Sequence, residues 1–157
     1  MPSRRDLIQM TDDERMAFIR SHKTMNIVSN GPGGFPHPMP MWFTIDADGS
    51  VRMTTFRKSQ KVLNIQRDPK VSLLIEDGTE YAELRGVVLY GHCEIVDDID
   101  AVKDTLIDIT GGQAAETPEG REAMGKVIMD TAAKRVCLKL EPEKIVSWDH
   151  AKLAGKY

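Results

Sequence analysis

A chain of 157 residues, 41% apolar and 29% charged, has the make-up of an ordinary soluble globular domain, long enough to bury on the order of 70% of its unfolded surface in one unit spanning residues 1–157. A net charge of −3 excludes a general nucleic-acid surface, and no apolar run approaches the roughly 20 residues of a membrane span. The opening MPSRRDLIQMTDDER lacks the apolar core of a secretory signal, so the expected compartment is the cytoplasm.

Thr11 and Glu14 in TDDE form a capping box, and Met16, Phe18 and Ile19 give an apolar stripe, which predicts a helix over residues 11–22. Met25, Ile27 and Val28 predict a strand that closes at the turn segment GPGG. In PHPMPMWFTIDADG, prolines 36, 38 and 40 remove ladder donors, so this stretch should start extended and edge-like and become a regular strand over residues 41–45. A turn at residues 46–49 should return the chain as a hairpin strand over residues 51–56.

The next stretch, TTFRKSQKVLNIQRDP, passes from strand character into a short helix that Pro69 stops. Arg57, Lys58 and Lys61 crowd the start of that helix, where free N–H groups and the macrodipole already make the potential positive; each cation there costs roughly 0.3–1 kcal/mol. A phosphate on those N–H groups, with the Thr55 and Ser59 hydroxyls and the Lys61 ammonium around it, would turn the repulsion into charge-assisted hydrogen bonds. The competing reading is a solvated basic face with Ser59 as a plain N-cap.

Residues 71–76 read as a buried strand, Asp77-Gly78 as a turn, and residues 81–96 as one long strand interrupted at Gly86 and Gly91. Residues 98–111 form an amphipathic helix with Val102, Leu106 and Ile109 on one face, and residues 117–133 a second helix opened by Pro118. Residues 135–140 are the last expected strand, and EPEKIVSWDHAKL reads as a short irregular tail. The expectation is an α+β fold: a six-stranded antiparallel β-barrel with peripheral helices. A barrel this small fills its own interior, so a planar ligand belongs outside it or between subunits, which points to a homodimer with the site at its interface.

Cys93 and Cys137 are far apart and form no CxxC, so both read as buried free thiols. His22, His37, His92 and His150 show no ligand spacing, which argues against a zinc or iron site. The expected ligand is a small molecule.

The unit PMPMWFTID followed by TTFRKSQKVLNIQRDPKVSLLIE, with YGHCEIVDD after it, resembles the pyridoxamine 5'-phosphate oxidase-like split-barrel flavoproteins, which include flavin and deazaflavin oxidoreductases; the resemblance covers roughly residues 11–150. It implies a dimer with the cofactor at the interface, Thr55, Ser59, Gln60 and Lys61 on the phosphate and ribityl chain, and Met41, Trp42 and Phe43 against the ring, although consecutive strand residues alternate faces and one at least must be core. Trp148 either borders the ring, from the neighbouring chain, or packs on its own barrel. Arg57 and Lys58, beside Lys61, suit the longer anionic tail of the deazaflavin F420, and the closing SWDHAKL resembles the deazaflavin-linked branch; FMN is the near alternative. The cations that flank the first ring-binding strand of the true vitamin oxidases are replaced here near Pro40 and Ile45, and their Arg-Leu-His segment is absent, so that activity is not expected. No catalytic residue is assigned, His37, His150 and Tyr81 being only proton donors by type. A non-catalytic flavin or haem carrier, the latter using His92, and a purely structural partner protein are the competing classes.

Overall fold

One long strand, β6 (Arg85–Val96), carries hydrogen bonds for both halves of the sheet in the computed structural model, which describes residues 3–155. Around it the chain runs α1 (Arg4–Leu7), α2 (Asp12–Arg20), β1 (Thr24–Asn30), β2 (Pro36–Trp42), β3 (Thr44–Ile45), β4 (Val51–Phe56), α3 (Gln60–Arg67) and β5 (Lys70–Asp77). After β6 come α4 (Ile99–Thr110), α5 (Pro118–Val127), α6 (Met129–Ala132), β7 (Arg135–Leu140) and β8 (Lys144–Asp149). All pairings are antiparallel, in the order β2-β1-β5-β6-β7-β4-β3, and β8 also pairs with β6. The result is a curled, barrel-like sheet in an α+β fold.

The local reasons follow from side chains. Thr11 and Glu14 make the reciprocal capping box that starts α2, and the Asp98 carboxylate caps α4 by accepting from the Ala101 N–H. In β6, Val87, Leu89 and Cys93 turn inward while Tyr90, His92 and Glu94 turn out. The inward set joins Met25, Ile27, Met53, Leu73 and Leu138 in the main core. Burial pushes the Cys93 thiol up to about 12 and raises Cys137 as well, and both are free cysteines.

The sheet has eight strands rather than six. The expected strand over 41–45 breaks at Phe43, whose N–H donates to the Lys23 carbonyl (3.3 Å), so β2 stays with β1 and only Thr44 and Ile45 join β4. The proline-rich β2 is an edge strand, paired on one side only. The C-terminal stretch is also a strand: β8 pairs with β6 from Arg85↔Asp149 to Tyr90↔Lys144. Its buried position is Ser147, which accepts from the Met10 N–H, so hydrophobic alternation does not mark it. Residues 81–83 form a 3-10 turn, which delays β6 to Arg85, and the expected helix over 117–133 divides at Ile128 into α5 and α6.

Along one edge of β6, β8 occupies the first half and β7 the second. Gly91 lies at the changeover, where a Cβ would stand 2.8 Å from Leu140 Cδ1 and 2.9 Å from the Glu141 carbonyl oxygen. At Gly86 the Trp148 indole lies across the backbone, only 2.3 Å from where a Cβ would be. Helix α4 is fixed over β4 by Arg52, which donates to Asp46 (2.7 and 2.8 Å), Thr105 (2.9 Å) and Asp108 (2.8 Å). That clamp sets the helical wall described below.

Gly86→Ala should lower stability by about 1–3 kcal/mol in denaturant unfolding, the range for overpacking, because the large Trp148 ring has to shift. Adding Trp148→Ala to that variant should recover most of the loss; a cycle without coupling would mean that the ring and the glycine do not support each other.

Candidate functional site: a cationic corner beside an apolar cleft

Strand β4 ends at Phe56, and a turn closed by the Ser59 N–H on the Phe56 carbonyl (2.9 Å) leads into α3. Ser59 stands at the N-cap without capping: its hydroxyl lies 3.2 Å from the Thr55 hydroxyl and makes no bond to the helix. The N–H groups of Val62 and Leu63 reach the Ser59 carbonyl, which leaves those of Gln60 and Lys61 without an acceptor among the described residues. Two free donors therefore sit at the positive end of the helix.

Lys61 is only 8% exposed, and among the described residues nothing accepts a hydrogen bond from its ammonium or pairs with its charge. Arg135, opposite Phe56 in the β4–β7 register, lays its guanidinium 4.3 Å from the Phe56 ring centroid. Its Nε is buried without an acceptor. Burial first, and then the charge of Arg135, push the Lys61 ammonium below the ordinary lysine range; burial also lowers Arg135. This corner fits an anionic phosphoryl group: two desolvated cations, two hydroxyls and two backbone donors, with no carboxylate among the described residues paired to either cation.

A cleft of about 400 Å³ opens at Arg135, with Thr54 at its base, Pro40, Met41 and Trp42 on one side and Leu106, Ile109 and Ile128 on the other. Its lining is mostly apolar, as small-molecule sites are. Met41 is half-buried, and Trp42 is half-exposed with the Lys23 ammonium 4.0 Å above its ring.

The structure places Thr55, Ser59 and Lys61 around the start of α3 and Met41 and Trp42 on the cleft lining, and it sets the other expected site residues elsewhere. Phe43 is a core residue, 6% exposed, because alternation at the strand break turns it inward. Arg57 pairs with Asp97 (2.7 Å) and donates to the Ala133 carbonyl (3.0 Å), so its charge is already engaged. Gln60 donates to Asn64 Oδ1 (2.8 Å) along the helix, and Lys58 is exposed. Trp148 lies on Gly86 of its own sheet, outside the cleft lining. His92 faces a different cleft, with Nδ1 paired to Glu143, and His150 Nδ1 bonds the Tyr81 carbonyl (2.9 Å). Neither they nor His37 line the 400 Å³ cleft, and among the described residues no group of three metal-ligating side chains forms. Arg135 and Thr54 are the members that sequence reading missed, Arg135 standing far along the chain from the helix start at residues 57–61.

The fold is that of a split-barrel protein. The chain belongs to the pyridoxamine 5'-phosphate oxidase family, whose profile matches residues 11–149. Among solved structures, the conserved hypothetical protein Rv2991 from Mycobacterium tuberculosis is 33% identical, with a TM-score of 0.84 and coverage of 98% of this chain and 93% of that one. An F420 reductase is 27% identical, with a TM-score of 0.54 and coverage of 78% and 87%. The haem storage protein HutZ from Vibrio cholerae shares the fold at 15% identity, with a TM-score of 0.60 and coverage of 89% and 97%. No curated protein sequence matches. No helix among the described residues is long and apolar enough to cross a membrane.

The depressed Lys61 has a signed consequence. The unfolded chain holds that proton more tightly than the native protein, so ligand-free stability carries a penalty at neutral pH that disappears as pH rises through the folded pKa toward the unfolded value near 10.5. Lys61→Met should therefore match or exceed the unmodified protein in thermal stability at pH 7, and the gap should close as pH approaches 10.5. A variant that is less stable at pH 7 would show that Lys61 has a structural partner.

Proposed function

We propose that this protein is an oxidoreductase that holds a flavin-type cofactor, the deazaflavin F420 in preference to FMN, and reduces or oxidises an unsaturated small molecule. The observation that carries this reading is Lys61, a buried cation without a counter-ion at an uncapped helix start. A protein does not keep a desolvated charge cheaply, and a bound phosphoryl group offsets it. Thr55 and Ser59 would add hydroxyls, and the free N–H groups of Gln60 and Lys61 would complete the cradle. Met41 and Trp42 would border the ring in the cleft, where the apolar wall of Leu106, Ile109 and Ile128 excludes water. When bound, such a cofactor supplies hydride transfer itself. The chain's part is then to anchor, orient and desolvate, which explains why no acid–base pair lines the cleft.

Two observations favour F420: the identity with an F420 reductase, and the closing SWDHAKL. With Arg57 engaged by Asp97, the extra charge for an anionic tail rests on the exposed Lys58. A homodimer is part of the proposal. Val28, Leu74, Val88 and Val146 make a half-buried apolar patch on the outer face of β1, β5, β6 and β8, with Trp148 on Gly86 beside it. A second copy would dock on this face, in the cytoplasm as expected.

The deciding experiment is an absorbance spectrum of protein purified from a host that makes both cofactors, followed by fluorescence titration with each. F420 should bind, and Lys61→Ala should weaken it by about 1.5–3 kcal/mol. Lys58→Glu should weaken F420 more than FMN. Tight binding of FMN alone would reverse the preference, and binding of neither would end the oxidoreductase reading. In sedimentation, Val88→Arg should shift a dimer toward monomer; an unchanged mass would remove the outer face as the contact.

A further inference from the structure

The proposed cofactor site uses Lys61 for its phosphoryl group but leaves Arg135 unexplained. Arg135 opens β7, on the strand beside the helix-start segment, and lines the apolar cleft as well. Other arginines around the helices have acceptors: Arg52 pairs with Asp46 and Asp108, Arg57 with Asp97, and Arg121 with Asp104 and Asp108, while Arg67 donates to the Asn30 carbonyl. Arg135 has none among the described residues, and its Nε–H is buried with no acceptor. A donor in that state costs about the desolvation of the group unless something accepts from it. The guanidinium lies over the Phe56 ring, 4.3 Å from its centroid, a cation–π contact that restricts its directions before any ligand arrives.

We infer that Arg135 is a second anion-binding residue and the link between the two parts of the site: it holds the phosphoryl group together with Lys61 and orients the adjoining part of the ligand into the cleft. This rests on the flavin-type reading. The chemistry explains the choice of arginine. A lysine at the same place would carry the charge but could not lie flat on Phe56 or present a fixed N–H. Lys61 supplies a compact charge and Arg135 supplies direction. The mutual repulsion of the two cations in the free protein is relieved only by an anion that both touch. Phe56, half-exposed beyond the end of the core, then acts as the platform that positions Arg135 and not as a misplaced core residue.

The test compares Arg135→Lys, Arg135→Gln and Phe56→Leu with the unmodified protein. Binding of F420 and FMN is followed by cofactor fluorescence, and binding of inorganic phosphate by the rise in Tm. Arg135→Gln should weaken both cofactors roughly tenfold or more and abolish the phosphate-induced rise, while the ligand-free Tm holds or increases. Arg135→Lys should recover only part of the loss, and Phe56→Leu, which keeps the charge, should weaken binding less than Arg135→Gln. Cofactor affinities of Arg135→Gln within twofold of the unmodified protein would overturn the inference and leave the flavin-type reading standing. A fall in ligand-free Tm with unchanged affinity would make Arg135 a packing residue and overturn it equally. If the unmodified protein binds neither cofactor and no phosphate, the flavin-type reading itself fails, and this inference with it.

Discussion

Strand β6 is shared. Its first half hydrogen-bonds β5 and β8, and its second half hydrogen-bonds β7, so one continuous backbone carries the ladder from one side of the molecule to the other. Were it to end at Tyr90, β7 and the β4 paired to it would lose the edge they build on. The cationic corner is thus a product of sheet continuity: Thr55 and Phe56 arrive on β4, Arg135 on β7, and Lys61 on the helix that follows β4. Gly91 permits the change of partner because no side chain obstructs the approach of Leu140 and Glu141.

What separates the site from the rest of the charged surface is the pairing of each charge. Arg52, Arg57, Arg121 and Lys152 all end on carboxylates and join separate segments of the chain. Pairs of this kind are mostly exposed and contribute modestly. Lys61 is buried, Arg135 has its Nε buried, and neither has such a partner among the described residues, a combination that natural structures rarely retain without a ligand or a function to maintain it. Burial alone would favour replacing both with apolar residues.

Much of this was legible in the chain because it is local. The strand–helix corner at residues 54–69 is contiguous, so its hydroxyls, its cations and the helix start could be read together, and the proline-rich edge announced itself through missing donors. The failures were of tertiary origin. Arg57 looked free until folding placed Asp97 against it, and Phe43 looked exposed to a ligand until the break in the strand turned it inward. Arg135 is far in sequence from the corner that the β4–β7 pairing brings it to. Strand β8 was hidden because its buried position is a serine, held by a hydrogen bond from Met10, and its tryptophan rests on a glycine across the ladder. Periodicity detects apolar burial and is blind to burial of this sort.

The prolines of β2 reach beyond local backbone geometry. Pro36, Pro38 and Pro40 alternate along a strand whose other residues pair inward with β1, so the rim of the sheet offers carbonyl oxygens with no amide hydrogens between them. A foreign strand docking there would find acceptors and no donors, and it could not form a continuous ladder. Growth of the sheet from one molecule to the next is blocked at this border.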